Sequence, residues 1–145
     1  MKKVEFASDA WLQAAEAILR RAVAAAGPAI AGQKLTVCET FTDPPAHLCA
    51  GANEVVWSFT IDDGQSRVLK GAAVGADYSV RADYGATLPG ARTILGTTPE
   101  AIEARSKARR ESVASGRANG SLDHVSAPMR LVLIELHNRL AEITA

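Results

Sequence analysis

The sequence predicts an α+β fold in which helices are segregated to one side of an antiparallel sheet. Two observations carry that prediction. The stretches "KLTVCETFT", "EVVWSFTIDDGQSRVLKG" and "ADYSVRADYG" follow one another between residues 34 and 85 with apolar side chains at every second position. Stretches with three-and-four apolar spacing, the mark of helices, lie before and after that block. At 145 residues the chain is one domain spanning residues 1–145. It is long enough to bury a core without disulfides or a metal.

Ser8 or Asp9 caps a first helix starting at Ala10, because a short oxygen side chain accepts from the free N–H groups of the first turn. Trp11, Ala14, Ala15, Ile18, Leu19, Ala22 and Val23 form its apolar stripe, and Gly27-Pro28 stops it. In "KLTVCETFT", Leu35, Val37, Glu39 and Phe41 share one face, with Glu39 the odd member of an apolar row. Val55, Trp57, Phe59 and Ile61 form one face of the next strand. Asp63-Gly64 supplies a hairpin turn, and the chain returns over Val68 to Val74. A fourth strand places Tyr78, Val80, Ala82 and Tyr84 on one side and Asp77, Ser79, Arg81 and Asp83 on the other, so the sheet has one wet face.

"ATLPGARTIL" predicts a short helix interrupted by Pro and Gly. Thr98-Pro99-Glu100 then opens a longer one, Thr98 as cap and Pro in the first turn, running to about Ser115. Its apolar content (Ile102, Val113 and some Ala) is thin, which places it on the surface. "GRANGSLDHVS" reads as a last short strand. "APMRLVLIELHNRLAEIT" is a terminal helix with Met129, Val132, Leu133, Leu136, Leu140 and Ile143 on its buried face. There is no internal repeat and no low-complexity linker.

Sixteen basic and sixteen acidic residues cancel, so the chain lacks the cationic footprint of a nucleic-acid partner. The one basic cluster, Arg105, Lys107, Arg109, Arg110 and Arg117, is interleaved with Glu100, Glu103 and Glu111 and reads as a solvated helix face. No apolar run reaches the roughly 20 residues of a membrane span. The opening "MKKVEFASDAW" lacks the apolar core of a signal peptide, so a soluble cytoplasmic protein is expected. Cys38 and Cys49 have no zinc-type spacing and are expected as unbridged thiols.

Several stretches together resemble the sterol-carrier-protein-like family. "FASDAWLQAAEAIL" is similar to that family's first helix, and "VVWSFTIDDGQSRVLKGAAVGADYSVRADYGATLPGARTIL" to its central strands and the helix after them. "GRANGSLDHVSAPMRLVLIELH" is similar to its closing strand and helix. Two departures stand out: Arg117, Asn119, Asp123 and His124 make the closing strand polar, and the charged helix 99–115 is longer than the usual excursion. The resemblance implies a curved antiparallel sheet of about five strands, helices over one face, and an apolar tunnel between them that takes sterols, acyl chains or other flat apolar molecules. Trp57, Phe59, Tyr78, Val80 and Leu133 are the expected ligand-facing residues.

The stretch "FTDPPAHLCAG" concentrates other chemistry. Asp43-Pro44-Pro45 makes a stiff corner in extended geometry. If Asp43, His47 and Glu39 converged, a carboxylate-held His would be poised for proton transfer, as in a cofactor-independent lyase or isomerase. His124, after Asp123 in the last strand, is a second candidate base. His137 reads as a structural residue beside the buried stripe of the last helix. Tyr78 and Tyr84 read first as packing residues. With three dispersed His and no Walker loop, GxGxxG or GxSxG, no metal, nucleotide or other cofactor is expected. The leading reading is a carrier of a small hydrophobic ligand and the alternative is that lyase or isomerase. The third reading is a homodimer-forming accessory protein that uses a sheet edge or apolar patch.

Overall fold

A computed structural model describes residues 2–49 and 52–145. The elements run α1 (Asp9–Ala26), β1 (Lys34–Thr42), β2 (Glu54–Asp62), β3 (Gln65–Lys70), β4 (Tyr78–Asp83), α2 (Tyr84–Ala91), α3 (Pro99–Ala114), β5 (Ala118–Gly120) and α4 (Ala127–Ile143). Each helix starts at a side-chain cap. Ser8 accepts from the Trp11 amide, Asp83 from Ala86, Thr98 from Ala101 and Ser126 from Met129. α1 ends where Gly27 takes a φ of 54° and Pro28 follows in a short 3-10 turn. Among the described residues no helix is long and apolar enough to cross a membrane.

The α+β class and the five strands are as the sequence predicts. The sheet order is β3-β2-β1-β4-β5. One ladder differs from the all-antiparallel expectation: β1 and β4 pair in parallel, with Val37 beside Tyr78 and Glu39 beside Val80. The reason lies in the connection after β3. That strand ends at Lys70, opposite Trp57, rather than running on to Val74. Residues 71–77 then carry the chain over β2 and β1 to the far side of the sheet. The lateral distance is three strand spacings of about 4.8 Å each, well within the roughly 3.3 Å per residue of extended chain.

The strap formed by residues 71–77 crosses the face turned away from the helices. Ser58 donates to the Gly71 carbonyl at 2.8 Å, and the Asp77 carboxylate accepts from the Thr36 amide at 2.8 Å. Cys38 is buried beneath it, and burial pushes its thiol pKa up. The face expected to be wet is therefore covered across its middle. Cys38 and Cys49 are free thiols.

The other face carries the core. Six of the seven aromatic residues form one connected cluster. Trp11 stands edge-on to Trp57 at 4.9 Å and to Phe6 at 5.2 Å, while Phe6 also meets Phe41 and Tyr84. The Tyr84 hydroxyl donates to the Phe6 carbonyl at 2.6 Å, so Tyr84 heads α2 and faces inward instead of ending β4. The Trp11 indole donates to Thr144 at 3.1 Å, locking α1 to the end of α4. Tyr78 is the aromatic left outside this cluster.

Gly120 marks the closest backbone approach. Its φ is 85°, and a Cβ there would lie 1.9 Å from the Asp77 carbonyl oxygen. Gly120→Ala is expected to destabilise the protein by about 3 kcal/mol or more, from left-handed strain plus the displaced strap. Urea unfolding checks this; a loss under about 0.5 kcal/mol, the range of an ordinary surface change, would mean that the β4–β5 edge yields freely.

Candidate functional site

A cavity of about 480 Å³ lies between the helix-facing side of the sheet and α2, α3 and α4. Its floor follows from strand periodicity: Val37, Glu39 and Phe41 of β1, Trp57 and Phe59 of β2 and Tyr78 of β4 all alternate to the same side. Its roof includes α4, which contributes residues from Arg130 to Leu140. At about 1.5 Å rise per residue that is a length of about 15 Å. The volume lies within the roughly 300–1,000 Å³ typical of small-molecule sites.

Glu39 is the exceptional floor residue. Its surface counts as half-buried because the cavity reaches it, yet protein surrounds the carboxyl. Burial raises its pKa from the ordinary 4.5 to about 7, and the Trp57 indole, donating to Oε1 at 3.0 Å, opposes that shift by less. Tyr78 is also pushed up by burial, with Arg109 pulling it down and Glu39 pushing it up.

The helices add groups that the sequence reading set aside. Ile102, Arg105 and Arg109 fall at three-and-four spacing on α3 and line the cavity, so part of the basic cluster turns inward. Burial lowers the Arg109 pKa and the neighbouring Arg130 lowers it further. The Arg109 Nε is shielded from solvent and has no hydrogen-bond partner among the described residues. His137 also lines the cavity; burial lowers its pKa, and its Nε2–H donates to the Thr93 carbonyl at 2.9 Å. Beside it, Asn138 bonds both the amide and the carbonyl of Leu95. These two residues of α4 thus pin the connection between α2 and α3 over the cavity.

The residues expected from sequence divide cleanly. Trp57, Phe59, Tyr78, Leu133 and Glu39 line the cavity. Val80 is half-buried against the core but is not part of the lining. Asp43, His47 and His124 stand outside it. His47 binds Glu5 through Nε2 at 2.6 Å on the exposed surface, and Asp43 accepts from the Asn53 side chain. His124 lies in an exposed turn after β5, which stops at Gly120, because the chain must swing there into the Ser126 cap of α4. The corner itself is not extended: Asp43 has a φ of 51°, a conformation Asp tolerates when its side chain is locally bonded. Ala50 and Gly51, the end of that stretch, lie outside the described residues. The spacing of Ile102, Arg105 and Arg109 was the available signal for the inward arginines. It was masked because a charged helix ordinarily reads as solvated.

No family model matches the chain, and no curated protein does. Solved structures do. A conserved hypothetical protein of Thermus thermophilus, described as a candidate sterol carrier protein, is 18% identical at a TM-score of 0.53. That match covers 100% of this chain and 94% of the other. The crystal structure of sterol carrier protein 2 is 19% identical at a TM-score of 0.52, with 97% of this chain and 100% of that one covered. The chain therefore has the sterol-carrier fold, as the sequence resemblance implied.

Glu39 makes stability depend on pH with a definite sign. Its folded pKa lies above its unfolded one, so its stabilising effect is complete below about 4.5, fades as pH rises through 7, and is gone above. The loss is expected to approach about 3 kcal/mol. Urea unfolding between pH 4.5 and 8.5 should show this decline, and Glu39→Gln should remove it. An identical slope in the variant would place the titration elsewhere.

Proposed function

We propose that this protein binds and carries a small hydrophobic ligand, of lipid, sterol or aromatic type, in the cavity over the sheet. The observation that carries the reading is the volume of about 480 Å³, walled by Phe41, Trp57, Phe59, Leu133, Leu136 and Leu140. A mostly apolar cavity of this size, walled in part by the aromatic cluster, has the character of a small-molecule site. The fold shared with sterol carrier protein 2 supports the same reading. The proton-transfer alternative required a carboxylate-held His over the pocket, and neither His47 nor His124 lines it.

Trp57 reports occupancy directly, since its indole forms part of the wall. Titration with a long-chain alcohol or a sterol should change Trp emission saturably. Leu133→Trp, which places an indole where an isobutyl group now lines the space, should weaken binding at least about tenfold, the loss expected when packed volume blocks a site. Its melting temperature should stay near that of the parent. No saturable signal from any apolar probe would reject the carrier reading.

A further inference from the structure

The cavity wall is mostly apolar, and among its charged side chains Glu39 and the pair Arg109 and Arg130 are of opposite kinds. Arg109 and Arg130 both line the cavity, near enough for the Arg130 charge to lower the Arg109 pKa, and neither has an ion pair among the described residues. Arg109 spends one Nη2 hydrogen bond on Ser106 at 2.9 Å and leaves Nε unpartnered out of solvent. Asp123, the carboxylate that acts on Arg109, is instead bonded to Arg110 at 3.4 Å. Buried donors without acceptors are rare in folded proteins. Two guanidiniums lining one cavity, neither in ion-pair contact with a carboxylate, are suited to hold an anionic group.

Glu39 has no cationic neighbour among the groups that act on it; only burial and the Trp57 indole do. Its Oε1 takes the indole N–H, and Oε2 makes no hydrogen bond among the described residues. Near neutral pH a large share of this carboxyl carries a proton, which makes it a donor. Tyr78 is near both groups: it lies beside Val37, two residues before Glu39, shares a smaller hollow with Arg109, and feels the charges of both. The titratable and charged side chains around the cavity are Glu39, Tyr78, Arg105, Arg109, Arg130 and His137. Arg105 is engaged with the Gly96 carbonyl and His137 with that of Thr93.

We propose that the cavity selects a two-ended ligand: an apolar body with a carboxylate at one end, held by Arg109 and Arg130, and an uncharged carbonyl oxygen farther along, received by Glu39 acting as a donor. This deepens the hydrophobic-carrier reading and rests on it. An unsubstituted fatty acid satisfies only the arginines, and a neutral sterol or alcohol satisfies neither pole as well. An oxo-substituted fatty acid, or a flat polycyclic keto acid of similar length, satisfies both.

The test uses the intact protein and probes of one chain length below their micelle concentrations: dodecanol, dodecanoate and a set of oxododecanoates with the carbonyl stepped along the chain. Binding is read by Trp emission at pH 6 and pH 8.5. Dodecanoate should bind about ten- to a hundredfold more tightly than dodecanol, the worth of a charge-assisted bond. Arg109→Gln should remove most of that advantage, weakening dodecanoate far more than dodecanol. At least one oxo isomer should gain about three- to tenfold over dodecanoate at pH 6, the worth of a neutral hydrogen bond, and lose the gain at pH 8.5 or in Glu39→Ala. Dodecanol binding as tightly as dodecanoate, or no oxo isomer gaining at either pH, would overturn the proposal and leave the carrier reading standing. If none of the probes binds, the carrier reading and this proposal fall together.

Discussion

Because β4 lies parallel to β1, the chain leaving β3 has to cross the sheet before it can pair again, and the consequences of that crossing reach every part of the molecule. It puts β1 at the centre of the sheet, with β2 on one side and β4 on the other. The helix-facing residues of β1 are then the ones farthest from any edge, and Glu39 is among them. The same strap covers the reverse face over Cys38 and Ser58, where those side chains would otherwise meet water. A two-sided burial of this kind ordinarily favours uninterrupted apolar strands. Thr36 resolves the conflict locally by bonding Thr60 across the ladder at 2.9 Å.

On the helix side the filling is uneven. At the end where the chain termini meet, Phe6, Trp11, Phe41, Trp57 and Tyr84 pack ring against ring. The termini themselves are joined there: Val4 donates to Ile143 at 2.7 Å and accepts from Ala145 at 2.8 Å. Toward β4 and β5 the roof is α3, a helix whose inward row is Ile102, Arg105 and Arg109 rather than a run of Leu. The cavity thus runs between the aromatic cluster, whose Phe6, Trp11, Phe41 and Trp57 form part of its wall, and the charged inner row of α3.

Much of the architecture was legible because it depends on local rules. Period-two alternation located β1, β2 and β4, the three-and-four stripe located α1 and α4, and Asp63-Gly64 located the hairpin. What periodicity does not carry is which strands become neighbours, so the parallel pair was missed. On α3 the spacing of Ile102, Arg105 and Arg109 did mark an inward row, but a helix this charged reads as solvated, and this hid the two arginines. Glu39 was visible as the one charged residue in an apolar row. Asp43 and His47 drew attention by their residue types, but their bonds go to Asn53 and Glu5 at the outer surface. The chemistry crowded into "FTDPPAHLCAG" is spent on the strand corner and on fastening the N-terminal segment to it.

A shared fold at under one-fifth identity fixes the scaffold but not its guest. Apolar walls bind many molecules with little discrimination, since one methylene more or less shifts affinity only modestly. Discrimination comes from buried polar groups, because leaving one unpaired is more costly than losing apolar contact. In this chain those groups are a carboxyl with no cation acting on it and two guanidiniums with no ion pair among the described residues, all lining one cavity. Had they been neighbours they would have neutralised each other as an internal ion pair. Neither acts on the other's charge, so each keeps hydrogen-bonding capacity facing the cavity, and that capacity, more than the apolar volume, is what the proposed ligand selection depends on.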